Sequence, residues 1–308
     1  MRAAAQARLS PRPCASRSAC YAPRTRRRSA PPRGRAPRTG RSYPNPMHSR
    51  IDASFTRVGA RTSVADLHES GALRLRLPRE PRCVATVVNT GGGLVTGDHV
   101  AVEGAAAPGA ALTVTSVAAE KVYRAAGGTL TTVATRLVVG DGATLEWLPQ
   151  ETILFDGCRL RRSLEVEVAG AGTFLAAEML VFGRLAAGEA SMSGSLRDRW
   201  RIRRDGALVF ADETALDGAI GTLLDRPAVA GGARAVGLIV RVGPEDEAAL
   251  DAVRTAFDPH TGAVEAGASR MGDVLVARLL APSPADLRAA MVAALERLGA
   301  APMHRIWT

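Results

Sequence analysis

From Arg82 to Ala211 the chain repeats one local pattern: a short run rich in apolar and β-branched residues, then a turn built on glycine. A strand presents alternate side chains to opposite faces, so runs of this length and composition read as strands. Arg82–Asn89 is apolar and β-branched and runs into Thr90-Gly91-Gly92-Gly93. Leu112–Val117 alternates Leu, Thr, Val, Thr, the mark of a half-buried strand. Thr129–Val139 and Ala143–Leu148 flank Gly140-Asp141-Gly142, a hairpin signal. Leu164–Val168 and Thr173–Val181 are joined by Ala169-Gly170-Ala171-Gly172. Arg199–Arg203 and Ala207–Ala211 flank Arg204-Asp205-Gly206, where Asp-Gly suits a type I′ turn. The spacing predicts a mainly β fold of antiparallel strands, in a sandwich or a solenoid-like array. No fixed-period repeat decides between the two.

Helical signals come late, and two or three helices are expected in the C-terminal third. Pro244 followed by Glu245, Asp246 and Glu247 predicts a helix to about Phe257, its acids matching the N-terminal dipole. Ser283-Pro284-Ala285-Asp286 is a capping start. Leu287, Met291, Ala294, Leu295 and Leu298 then recur at helical spacing, and Gly299 is a natural stop. Ala235–Val242 and Val274–Leu280 read as buried strands, giving a β-α-β-α order, with a further short helix over Ala219–Leu224.

Charge is unevenly distributed. The formal net charge is +10, but residues 1–46 hold twelve arginines and no acid. Without them, 28 basic residues face 30 acidic ones. The basicity belongs to the tail, so a nucleic-acid binder is not indicated. The tail lacks hydrophobic periodicity and predicts disorder. It resembles a transit peptide in being Arg- and Ser-rich. Yet with one lysine, Lys121, against 39 arginines, the composition points to a GC-rich genome and to Met47 as the start. The organisation expected is a tail or mis-assigned start over 1–46 and one domain over 47–308. No run of eighteen apolar residues suggests a membrane helix. The cysteines, Cys14, Cys20, Cys83 and Cys158, form no CxxC pair, which argues against a zinc knuckle or disulfide framework and fits a cytoplasmic protein.

Several nucleotide and catalytic signatures are missing. Lys121 precedes Val122, so there is no P-loop. Gly91, Gly93 and Gly97 lead toward a strand rather than the helix a dinucleotide loop needs. There is no Gly-x-Ser-x-Gly elbow. His48, His68, His99, His260 and His304 lack metal-site spacing, and of these only His99 sits in a segment read as functional.

Specific runs carry a resemblance. They are Asn89-Thr90-Gly91-Gly92-Gly93-Leu94-Val95-Thr96-Gly97-Asp98, Glu120-Lys121-Val122-Tyr123-Arg124, and Leu145-Glu146-Trp147-Leu148-Pro149-Gln150-Glu151-Thr152-Ile153. Glu178, Gly183-Arg184, Gly188-Glu189, Arg203-Arg204-Asp205-Gly206 and Arg305-Ile306-Trp307 follow in order. Together they resemble the UreD (UreH) family of urease accessory proteins. Gly92 departs from the family's usual Ser, and the tail is an addition. The resemblance implies a non-catalytic, mainly β scaffold. It implies as partners UreF, the GTPase UreG and apo-urease, with neither nucleic acid nor membrane. It also implies an internal passage guiding nickel, with no tightly bound cofactor and at most transient nickel.

Nickel accepts carboxylate ligands, and a relay must release its metal, so sparse carboxylates suit it. Asp98, Glu120, Glu151, Glu178 and Glu189 are the candidates. Each has a structural alternative: Asp98 as a turn cap, Glu120 paired with Arg124 or Lys121, Glu151 satisfying backbone donors. Glu178 leads because it lies within the apolar run Phe174–Phe182, where an inward carboxylate is costly unless paired or wet. Arg124 and Arg184 are candidates to orient motif carboxylates. A competing reading is a β-rich enzyme using Glu151 and Glu178 as an acid/base pair.

Overall fold

The computed structural model describes residues 46–189, 192–244, 247–299 and 307. The expectations for the tail before residue 46, and for Glu245 and Asp246, lie outside the described residues. The first half contains β1 (His48–Val58), β2 (Arg61–Ser70), β3 (Leu73–Arg76), β4 (Cys83–Asn89), β5 (His99–Ala106), β6 (Ala111–Ser116), β7 (Glu120–Val122), β8 (Thr131–Val139) and β9 (Thr144–Leu148). Then come β10 (Thr152–Leu154), β11 (Cys158–Val168), β12 (Thr173–Phe182), β13 (Gly194–Arg204) and β14 (Ala207–Gly218). The last part holds α1 (Ile220–Leu224), β15 (Ala235–Val242), α2 (Glu247–Phe257), β16 (Glu265–Met271), β17 (Val274–Ala281) and α3 (Pro284–Arg297). Among the described residues, no helix is long and apolar enough to cross a membrane.

The mainly β expectation holds, in its solenoid-like form, but strand direction is mixed. A seven-stranded sheet runs β14-β13-β11-β8-β5-β1-β2, and a ten-stranded sheet contains β16-β17-β15-β12-β9-β6-β4-β3. The ladders β1–β5–β8–β11–β13 and β4–β6–β9–β12 are parallel. Antiparallel pairing is confined to the flanks, as in β1–β2, β13–β14, β3–β4 and β12–β15. The cause is the winding. β5, β8, β11 and β13 lie in one sheet, and β6, β9 and β12, which follow the first three, lie in the other. Each coil therefore returns in the same direction as the last.

Gly140-Asp141-Gly142 is accordingly a corner between sheets and not a hairpin. Its neighbours β8 and β9 do not pair with each other. The corners stack: Ala107 N donates to Phe55 O, Gly140 N to Ala106 O, Ala169 N to Val139 O, and Asp205 N to Val168 O. Coil lengths differ, which hid the repeat. Val100 pairs with Val133, Val133 with Arg162 and Arg162 with Asp198, spacings of 33, 29 and 36 residues.

One core fills the space between the sheets, with Ile51, Phe55, Leu137, Val166 and Ile202 meeting Leu112, Leu145, Phe174 and Val240. A second packs the outer face of the larger sheet against α2 and α3 through Leu175, Met179, Ile239, Leu279, Val253, Leu287, Met291 and Trp307. Burying each large side chain here contributes roughly 1.5–3 kcal/mol. α3 starts as expected, with Ser283 Oγ accepting from Asp286 N at 3.4 Å and Pro284 in the first turn. The strand β16, absent from the expected β-α-β-α order, pairs with β17 at the edge of the larger sheet.

The Asp-Gly turn does join a true hairpin. Asp205 has φ 50° and Gly206 φ 81°, the two positive values a type I′ turn needs, between antiparallel β13 and β14. Gly206→Val should lower unfolding free energy by about 1–3 kcal/mol in urea denaturation, with Gly206→Asn costing less, because only small or Asx residues tolerate that region.

Candidate functional site

Alternation along three strands carries charge into the interior. On β11 the inward series is Cys158, Leu160, Arg162, Leu164 and Val166. On β13 it is Leu196, Asp198, Trp200 and Ile202. On β12, Phe174 and Ala176 join the core between the sheets while Leu175, Ala177 and Met179 join the helical one, so Glu178 falls on the inter-sheet side. The strands thus bring one cation and two carboxylates together where the two sheets face.

Arg162 Nη2 lies 2.7 Å from Glu178 Oε2 and bridges the sheets. The same guanidinium donates through Nε to Asp198 Oδ1 at 3.0 Å, through Nη2 to Asp198 Oδ2, and through Nη1 to Thr152 Oγ1 at 3.3 Å. Trp147 Nε1 donates to Glu178 Oε1 at 2.7 Å. Burial opposes the Arg162 charge, but Asp198 and Glu178 outweigh it and hold the guanidinium ionised. Burial pushes the Glu178 carboxyl up; Arg162 opposes the rise and Asp198 adds to it. With all three groups ionised the cluster carries a formal charge of −1.

Two cavities meet at this cluster. One of about 100 Å³ is lined by Glu120, Thr115, Gln150, Thr152, Arg162 and Glu178 over an apolar wall. The other, about 260 Å³, is lined by Arg162, Glu178, Asp198, Asp212 and Arg278 among others. Arg162 and Glu178 border both. Gln150 Nε2 is buried without a hydrogen-bond partner among the described residues.

The five candidate carboxylates are not brought to one centre. Glu178 and Glu120 line the same cavity. Glu120 accepts from Asn89 Nδ2 at 3.1 Å and from Lys121 N at 3.2 Å, and burial pushes its carboxyl up. Asp98 is buried and caps backbone, accepting from Met47 N and Val95 N, each at 2.9 Å. Glu151 pairs with Arg288, which also donates to Gln150 Oε1 at 2.9 Å. Glu189 accepts from Arg184 N at 2.8 Å and pairs with its guanidinium, and the guanidinium's hydrogen bond above all holds the carboxyl below its usual range. Arg184 thus orients a motif carboxylate as expected; Arg124 pairs instead with Asp156. Among the described residues, no three His, Cys, Asp or Glu side chains converge as a metal cage. Glu151 lines neither cavity that Glu178 borders, so the two do not face one cleft as an acid/base pair would.

Arg162 and Asp198 are not among the candidates the sequence offers, and Gln150 and Thr152 enter there only as members of the Leu145–Ile153 run. The signal was present, since Arg162 and Asp198 occupy apolar positions in period-2 strands.

The chain matches the family model for the UreD urease accessory protein over residues 47–308. It is 48% identical over 259 residues to the urease accessory protein UreD of Xanthobacter autotrophicus (strain ATCC BAA-1158 / Py2), covering 84% of this chain and 89% of that protein. The chain belongs to the UreD family of urease accessory proteins. It is also 44% identical over 279 residues to UreD of Methylobacterium sp. (strain 4-46), covering 86% of this chain and 99% of that one. A third relative, UreD of Azorhizobium caulinodans, is 40% identical over 260 residues, covering 84% of this chain and 95% of its own length.

The runs that carried the resemblance to UreD now have physical roles. Leu148 O accepts from Thr115 Oγ1 at 2.7 Å and from Trp307 Nε1 at 2.9 Å, so the Leu-Pro-Gln-Glu segment is tied to the C-terminal Trp. Tyr123 OH donates to Gly92 O at 3.1 Å and holds the glycine turn over the 120–124 run.

Removing one member of a buried charge cluster strands the others. Arg162→Met should cost about 3–5 kcal/mol in urea denaturation. Arg162→Met combined with Glu178→Gln and Asp198→Asn should cost far less. The Glu120 carboxyl predicts a pH effect. A group raised in the folded state binds more protons folded than unfolded, so its contribution is present below its ordinary value and is lost as pH rises through the folded one. Glu120→Gln, which mimics the protonated form, should therefore gain stability relative to the parent when both are moved from pH 4.5 to pH 7. An unchanged difference would show that the carboxyl is not raised.

Proposed function

We propose that this chain is a cytoplasmic, non-catalytic scaffold of urease maturation. It binds apo-urease together with UreF and UreG and assists nickel on its way to the urease active site through its own interior. Family membership supports the urease context. The observation that carries the nickel role is the pair of cavities that Arg162 and Glu178 both border.

The chemistry fits a transient cargo better than a stored one. Nickel accepts oxygen ligands such as carboxylates and water. Glu120 and Glu178 offer them along one cavity wall. Glu178 is already committed to Arg162 and Trp147, so a passing ion competes with existing partners and is released readily. Nucleotide chemistry falls to UreG, since the sole Lys, Lys121, lies in β7 and is followed by Val122.

Co-expression of urease with UreF and UreG, with and without this chain, tests the assignment. Urease made with the chain should carry its full nickel content and co-purify in part with the chain and UreF, and GTP should stimulate loading only when UreG is present. Equal nickel content in both preparations, or a chain that fails to co-purify, would overturn the proposal.

A further inference from the structure

At the start of the seven-stranded sheet, two imidazoles lie side by side on its outer face. His48 opens β1 and His99 opens β5, and the two residues are register partners in a parallel ladder. Their ring centroids are 4.7 Å apart and the planes are inclined by 20°. Both residues are exposed. Thr132, the next register partner on β8, places Oγ1 2.7 Å from His99 Nδ1.

We propose that His48 and His99 form a surface binding site for a divalent transition-metal cation, separate from the interior passage and not dependent on it. Imidazole suits nickel, copper and zinc and discriminates against magnesium and calcium, which prefer oxygen. Two side-chain nitrogens on neighbouring strands need only small rotations to close on one ion, and water completes the coordination. A hydrogen-bond acceptor on one ring nitrogen is the usual device that fixes a metal-binding His and leaves its other nitrogen for the ion, and here the Thr132 hydroxyl is placed to serve as one. When Thr132 Oγ1 accepts from His99 Nδ1, Nε2 retains its lone pair for that purpose.

The backbone beneath the pair is locked. His99 N donates to Met47 O at 2.9 Å, and Met47 N donates to Asp98 Oδ1 at 2.9 Å. Asp98 also accepts from Val95 N at 2.9 Å, so one buried carboxylate fastens both strand starts. The motif aspartate thus aligns the imidazoles without touching the metal. Arg50, the next outward residue on β1, is bound to Asp52 at 2.6 Å and Glu103 at 3.1 Å, which offsets its charge near the site.

Calorimetric titration of the purified, tag-free full chain with NiCl₂ alone, ZnCl₂ alone and MgCl₂ alone tests the site. Nickel and zinc should bind and magnesium should not. His48→Gln combined with His99→Gln should weaken nickel binding at least tenfold, and each single change should weaken it too. Thr132→Val, which removes the positioning hydroxyl, should weaken it about tenfold, with Thr132→Ser restoring it. A second measurement needs no variant: nickel should broaden the His48 and His99 ring proton resonances before those of the other histidines. Unchanged nickel affinity in the double variant, equal binding of magnesium, or broadening that begins at another histidine would overturn the proposal. Because the titration uses the chain alone, its failure leaves the maturation role untouched, and failure of that role leaves the site intact.

Discussion

A guanidinium held between two sheets organises the interior of this protein. Arg162 is anchored on its own sheet by Asp198 and reaches across to Glu178 on the other. Desolvating an arginine is expensive, and the cost is offset only when nearly every donor is matched. Asp198 and Thr152 match Nε, one Nη2 hydrogen and one Nη1 hydrogen, and Glu178 adds an ion-pair contact to Nη2. Trp147 then fixes the second oxygen of Glu178. The result is a polar node between the sheets, and Arg162 and Glu178 border both cavities.

The winding makes such a node possible. Three of its members come from consecutive strands of the winding: Arg162 on β11, Glu178 on β12 and Asp198 on β13. Parallel stacking with in-register corners keeps each inward position level with the next. A slip of one residue in β11 would turn Arg162 outward and set Arg161 or Ser163 against Glu178. The corner bonds at Ala107, Gly140, Ala169 and Asp205 are therefore part of the site's geometry though far from its chemistry. Antiparallel β2 and β14 close the two ends of the seven-stranded array, and α2 and α3 cover the larger sheet.

Much of this was legible in residues. The strand ends at Asn89, Val139 and Val168 fall where glycine turns begin, and the Ser283-Pro284 cap and the Asp205-Gly206 turn behave as local chemistry dictates. Strand direction was not legible. Gly140-Asp141-Gly142 has hairpin composition, and only the stacking of Gly140 N on Ala106 O makes it a corner. β16 was missed because Glu265–Met271 alternates small and polar residues with little hydrophobic signal. Glu178 was readable as buried and needing a partner, but a sequence does not say which of 39 arginines supplies it. Asp98 was read as either ligand or cap; the structure makes it a clamp on Met47 and Val95.

If nickel travels through the interior on either side of Arg162, as proposed, obstructing that interior without touching a charge should impede it. Val133 lines the first cavity and Val236 the second. Enlarging either to Phe costs about 1–3 kcal/mol of packing strain and leaves the outer faces unchanged. Nickel per active site, measured by elemental analysis of urease co-expressed with Val133→Phe or Val236→Phe, should fall several-fold while the variant still co-purifies with UreF and apo-urease. Full nickel content with either cavity obstructed and the complex intact would contradict the account.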